Sequence, residues 1–216
     1  MQTSKRHYTL LDRLCLGVDQ AVRALTDNVK TSGAPYPAQA VDEFHLNEKQ
    51  RKHSAALMRI NHAGEICAQA LYHGQGLVSR ADTVQTSMQQ AAIEEGDHLA
   101  WCKRRLDELG SHTSYLNPVW YAGSFCIGMV AGMIGDKWSL GFVAETERQV
   151  IKHLESHLHL LPAHDQRSYR ILEKMESDEA KHRDEAILAG AHELPDIIKR
   201  GMALTSKLMV KTAYWI

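Results

Sequence analysis

Apolar residues recur at helical spacing along most of the chain. Leu10, Leu11, Leu14, Val18, Val22 and Leu25 repeat at steps of three and four, the stripe of an amphipathic helix. Ser32-Gly33 and Pro35-Tyr36-Pro37 then break the pattern. A second helix is expected to start at Asn47, a good N-cap, and to run to about Leu77. A third is expected from Asp82 to Leu109, stopping at Gly110, and a fourth from Trp138 to Leu161, ending at Pro162. A fifth is expected from Asp165 to His192, with Pro195 beyond it, and a short basic-tipped helix from Asp196. No long alternating stretch rich in Val, Ile and Thr appears, so no sheet is expected. Helices of about 24 to 31 residues are ~36 to 46 Å long and normally pack as a bundle. The expected fold is therefore all-α. Segments 47–109 and 138–192 each form a helix hairpin, and residues 1–45 form an N-terminal helical extension to a bundle domain at 46–216.

Between the hairpins, residues 118–135 (PVWYAGSFCIGMVAGMIG) carry no charge. That length is enough to consider a membrane helix, with Trp120, Tyr121 and Trp138 near its ends as interfacial aromatics. Ser124, Gly128 and Gly132 put small residues at every fourth position. This ridge fits close contact with a second copy or with lipid. A buried crossover helix is the plainer reading of the segment.

Composition narrows the function classes. With 25 Lys and Arg against 26 Asp and Glu, the net charge is −1, which argues against a nucleic-acid coat. Four cysteines, Cys15, Cys67, Cys102 and Cys126, form no CxxC pair, so reduced thiols and no disulfide framework or structural zinc site are expected. Charges through residues 1–30 leave no room for a signal-peptide core. Thirteen histidines are many for a chain with three Phe, and histidine is the commonest metal ligand.

Two segments carry candidate chemistry. Glu95 and His98, like Glu179 and His182, form Glu-x-x-His on a helix, which sets both side chains on one face. The motif alone is common enough by chance that context must support it. Glu65 precedes Glu95 by 30 residues, and Glu147 precedes Glu179 by 32. Each lies on an apolar helix face, where an acid is costly unless paired or bound to a cation. The pattern is an internal repeat: Glu, then Glu-x-x-His, twice. It supplies four carboxylates and two imidazoles to one core, the ligand set of ferritin-like di-iron carboxylate proteins. Such oxygen-rich donors suit iron or manganese. Glu94 and Asp178, each just before a motif, are candidates to hold the ligand histidines across the bundle. Tyr72 and His153 are placed at the site's margin. His62, His157 and His159 are read as structural or surface residues, and Cys67 as a packing residue. No GxGxxG opens a βαβ unit, so no Rossmann domain is expected; Gly74-x-Gly76 is a poor match.

RINHAGEICA at 59–68, EExxH at 94–98, Glu147 with His153 six residues on, and DExxH at 178–182 together resemble the demethoxyubiquinone hydroxylase family. The resemblance spans roughly 45–216. It implies a membrane-associated di-iron monooxygenase that hydroxylates the ring of a demethoxy polyprenyl benzoquinol with O₂ in ubiquinone biosynthesis. By motif position the metal ligands are Glu65, Glu95, His98, Glu147, Glu179 and His182, and His153 assists electron or proton movement. Glu145 stands two residues before Glu147, but the six-residue step to His153 favours Glu147. Two iron ions and an external reductant such as NADH are implied, with membrane lipid, other ubiquinone-biosynthesis proteins and a second copy of the chain as allowed partners. The implied location is peripheral, on the cytoplasmic face of the inner membrane. A single crossing by 118–135 would part the two hairpins and split the site, so this reading requires an interfacial or re-entrant segment. Two rivals stay open at this point. One is a soluble ferritin-like di-metal protein (ferroxidase, manganese catalase or tRNA hydroxylase); the other is a non-catalytic helical adaptor at a membrane surface.

Overall fold

A computed structural model describes residues 10–216; residues 1–9 of the expected extension lie outside the described residues. The described residues form seven helices and no strand. They are α1 (Leu10–Leu25), α2 (Glu48–Val78), α3 (Asp82–Glu108), α4 (Asn117–Ile134), α5 (Asp136–Leu160), α6 (Gln166–Leu188) and α7 (Asp196–Ala213).

Local chemistry sets several of the ends. Asn47 caps α2 in a reciprocal box: its side chain accepts from the Gln50 backbone at 2.9 Å, and Gln50 accepts from the Asn47 backbone at 3.0 Å. Asp165 caps α6 by accepting from Ser168 N. That helix stops at Leu188 rather than continuing to the expected His192. Gly190 takes a left-handed φ of 94°, and the His192 N–H bonds Lys137 O, which ties the segment to the start of α5. The last helix is longer than expected and reaches Ala213. Its anchors, Met209 and Ala213, are buried against Ile60 and Ala63 of α2.

The hairpins α2–α3 and α5–α6 pack together and enclose the core. Near one end, Met58, Trp101, Cys102, Leu154, Ile171, Leu172 and Met175 form its largest apolar cluster. The fully buried Arg105 guanidinium pairs there with Asp165 at 2.8 Å and with Glu43 at 2.7 Å. Ser32 bonds Asp97, and Tyr36 bonds Glu108. These contacts fasten segment 26–46 to the outside of α3.

The uncharged segment forms one helix, α4, parallel to α2. No helix among the described residues is long and apolar enough to cross a membrane. Its small-residue ridge packs within the chain: a Cβ on Gly128 would lie 2.4 Å from Leu71 O, and one on Gly132 would lie 2.5 Å from a Val78 methyl. The opposite face, Val119, Ile127, Val130, Met133 and Ile134, is exposed. Gly128→Val is expected to lower stability by about 1–3 kcal/mol through overpacking against the α2 backbone. Denaturant unfolding checks this, and a wild-type midpoint would show that α4 need not sit this close.

The stripe on α1 is used differently from the expectation. Val18 and Val22 are exposed, whereas Ala24 is fully buried and Ala21 and Leu25 are half-buried. The helix meets α2 and α4 through Ala21, Ala24 and Leu25, and the two alanines permit a closer approach than a valine edge. The side chains of Leu10, Leu11 and Leu14 lie outside the described residues.

Candidate metal centre

Six side chains from four helices converge inside the bundle. Glu65 comes from α2, Glu95 and His98 from α3, Glu147 from α5, and Glu179 and His182 from α6; none is more than 5% exposed. Glu65, Glu95, His98 and Glu179 each offer one donor atom, and these atoms lie within 4.8 Å of one another. His98 Nδ1 stands 3.1 Å from Glu95, 3.0 Å from Glu179 and 3.8 Å from Glu65. On the other side, His182 Nδ1 stands 3.1 Å from Glu95 and 3.3 Å from Glu179. Each Glu-x-x-His therefore reaches across to the carboxylate of the other.

The outward nitrogens are also held. His98 Nε2 meets Asp178 at 3.2 Å, and His182 Nε2 meets Glu94 at 2.8 Å. The acid preceding one motif thus holds the imidazole of the other, the crossed arrangement expected from sequence. Lys174 contacts Asp178, and Gln90 donates to Glu94 at 2.9 Å, which restrains both acids.

Glu147 is held at the edge of the cluster. The Tyr72 hydroxyl, fully buried, donates to it at 2.5 Å. Glu145 turns elsewhere and pairs with Arg148 at 2.7 Å and with Gln149 at 2.8 Å. That separation follows from helix geometry, since residues two apart on a helix face nearly opposite ways.

Burial pushes the carboxyls of Glu65 and Glu147 well above the usual range. Nearby Glu95 adds to this for Glu65, and Glu179 with Glu95 for Glu147. Glu95 moves the other way: burial opposes ionisation, but His98 and His182 outweigh it. Burial would likewise lower the His182 pKa, yet Glu179 and Glu95 push it up to about 12. His98 is raised for the same reason, chiefly by Glu95. Without metal, the surrounding carboxylates thus favour the charged form of both imidazoles. Glu95 Oε1 is buried and makes no hydrogen bond, although His182 Nδ1 is 3.1 Å away. Carboxylate oxygens and an imidazole nitrogen from three helices that crowd this closely, with one buried oxygen left over, are the arrangement that surrounds a cation, so the residues present fit a metal centre.

His153 does not join the cluster. It lies about 9 Å further along α5 than Glu147, and its half-buried ring packs on His157 with centroids 4.0 Å apart. Its Nε2 is buried without a partner. His157 bonds Asn61 at 3.0 Å and His62 bonds Asp27 at 2.8 Å, both buried histidines held by structural contacts, while His159 is exposed. The Asn61–His157 pair was not foreseen from sequence. Asn61 lies one helical turn before Glu65 on the same face, and that spacing was the available signal.

Paired hairpins of long helices, each turning a Glu and a Glu-x-x-His into a shared core, define a ferritin-like carboxylate bundle. Over residues 52–213 the chain matches the family described as ubiquinone biosynthesis protein COQ7, and it belongs to that family. It is 54% identical over 211 residues to a 3-demethoxyubiquinol 3-hydroxylase of Acinetobacter baumannii, covering 98% of this chain and 100% of that protein. The proteins of the same name from Acinetobacter baylyi and Nitrosococcus oceani are 55% and 52% identical over 211 residues, covering 98% of this chain and 100% and 99% of their own.

Proposed function

We propose that the chain is a 3-demethoxyubiquinol 3-hydroxylase, a monooxygenase that adds a hydroxyl to the ring of a demethoxy polyprenyl benzoquinol with O₂ during ubiquinone biosynthesis. The observation that carries this is the crossed, buried Glu/His cluster, in a chain more than half identical to such hydroxylases over nearly its whole length. Six residues would hold two iron ions: Glu65, Glu95, His98, Glu147, Glu179 and His182. Oxygen-rich donors with two nitrogens suit iron. When bound, the pair of irons supplies the electrons that O₂ takes up. The chain's own residues do the rest. Asp178 and Glu94 orient the two imidazoles. Tyr72 fixes the Glu147 carboxylate. The apolar core around the cluster excludes water and holds the ring. His153, unpartnered and one layer below, is assigned to proton or electron movement, with an external reductant such as NADH as the electron source.

The exposed apolar rows of α4 (Val119, Ile127, Val130) and α7 (Leu204, Leu208) are assigned to a lipid surface, the cytoplasmic face of the inner membrane. The polyprenyl tail would then stay in lipid while the ring enters the bundle. A ferroxidase or store has no use for this face. The adaptor reading required solvated acids and histidines, and these are buried.

Mass spectrometry of the quinone pool tests the proposal in a strain lacking the chain. Demethoxyubiquinone is expected to accumulate, ubiquinone to fall, and the intact chain to reverse both. Normal ubiquinone with no accumulated precursor would overturn it.

A further inference from the structure

An open groove of about 1000 Å³ lies at the N-terminal end of α2, away from the carboxylate cluster. Its lining is cationic: Lys49, Arg51, Lys52 and Arg59 against the single acid Glu48. Lys52 pairs with Glu48 at 2.6 Å. The other three cations form no ion pair among the described residues. Arg51 makes one hydrogen bond, to Leu109 O at 3.3 Å.

Arg59 is the informative member. It is 7% exposed, yet all its hydrogen bonds go to neutral acceptors: His112 O at 3.0 Å, Tyr214 O at 3.1 Å and Ser111 Oγ at 2.9 Å. A buried charge is costly without a counter-charge, and burial lowers the Arg59 pKa accordingly. Three of its five N–H groups are used, so two remain for a further acceptor. Arginine forks match phosphate oxygens in geometry as well as charge.

The position of the groove indicates the source of the phosphate. Its wall includes Tyr214 and Trp215 at the end of α7, and Trp215 is 76% exposed. Leu204 and Leu208 continue the exposed row up that helix. Trp120 of α4 packs on the same Ile60, Ala63, Met209 and Ala213 cluster as α7, so both helices lie on one side of α2. The cations therefore end an apolar face. Acyl chains would meet that face and a phosphate the cations, which is the polarity of a lipid lying at a bilayer surface. A soluble phosphate ester would leave the apolar row uncovered.

We propose that this groove binds the phosphate of an anionic phospholipid headgroup and so fixes how the α4–α7 face lies on the membrane. The proposal rests on the interfacial reading given above.

Vesicle co-sedimentation of the full chain separates the two. The probes are phosphatidylcholine vesicles and the same vesicles with about one-third phosphatidylglycerol. At roughly fivefold in affinity per lost basic residue, Lys49→Gln combined with Arg51→Gln is expected to weaken binding to the anionic vesicles by about 25-fold. Binding to neutral vesicles should stay unchanged, with wild-type helicity by circular dichroism. A control pair, Lys152→Gln with Arg170→Gln, removes two exposed cations elsewhere and is expected to have a much smaller effect. An equal loss in the control would overturn the proposal in favour of net charge. Equal binding of wild type to both vesicles would overturn it while leaving the interfacial reading intact. No binding to either would overturn both. Binding of glycerol phosphate or NADH that Lys49→Gln with Arg51→Gln abolishes, while the same pair leaves anionic-vesicle binding at the wild-type level, would assign the groove to a soluble phosphate ester and overturn the lipid source.

Discussion

Glu147→Gln is expected to reduce hydroxylation by more than about a hundredfold, the upper end for residues that only support metal ligands, while the metal-free bundle stays folded. A glutamine keeps the size of the side chain and an oxygen for the Tyr72 hydroxyl, so the contact at 2.5 Å can persist. What disappears is the negative charge that would hold iron. Stability should respond in the opposite direction from activity. Burial, with Glu179 and Glu95 nearby, raises the Glu147 pKa well above its ordinary 4.5. An acid whose pKa is raised on folding costs nothing while both states are protonated. Its cost appears as pH rises past the unfolded value, because the unfolded chain then gains more from ionising. Denaturant unfolding of the chelator-treated proteins should therefore find variant and wild type alike near pH 4 and the variant the more stable near neutrality. Iron analysis should find less than a full pair in the variant. Full hydroxylation with two irons retained would remove Glu147 from the proposed ligand set. A variant unfolded without metal would make Glu147 a structural acid.

The contrast between Glu145 and Glu147 shows what could be read in the sequence. Helix periodicity alone sets the two acids on opposite sides, and the structure pairs Glu145 with Arg148 while Glu147 faces the cluster. The same periodicity made Glu65, the two Glu-x-x-His pairs and even Glu94 and Asp178 legible. Each of these placements follows from steps of three and four on helices whose ends are marked by Asn47, Asp165 and Pro162. Contacts between distant segments were not legible. The ridge of Ser124, Gly128 and Gly132 announced close packing but not its partner, which is Leu71 and Gln75 of α2. The α1 stripe was broader than the contact it makes, so the alanines rather than Val18 and Val22 are buried. Arg59 sits inside the recognisable RINHAGE stretch, yet nothing in that string says that its neighbours would be carbonyls rather than carboxylates. Periodicity gives a face, whereas the occupant of the facing surface depends on the whole fold.

Glu94→Gln and Asp178→Asn are each expected to weaken iron binding by about 10- to 100-fold without removing a proposed ligand. A ring that donates its Nε2 proton to a carboxylate keeps Nδ1 pointed inward as the acceptor. For His98 that carboxylate is Asp178, and for His182 it is Glu94. An amide of the same shape can still meet the ring but does not stabilise the charge that the ring gains on binding a cation. The supports are crossed: the acid on α6 serves the imidazole on α3, and the acid on α3 serves the imidazole on α6. Each substitution should therefore disturb the histidine of the opposite hairpin, and the double variant should lose more than either single one. Competition for Fe(II) against a chelator measures the affinities. Glu185→Gln, an exposed acid that pairs with Lys181, is the control and should bind as wild type. Unchanged affinity in both test variants would reduce the crossed contacts to surface pairing. A loss in one variant only would make one hairpin dominant, and the symmetry of the repeat would then be one of sequence rather than of binding energy.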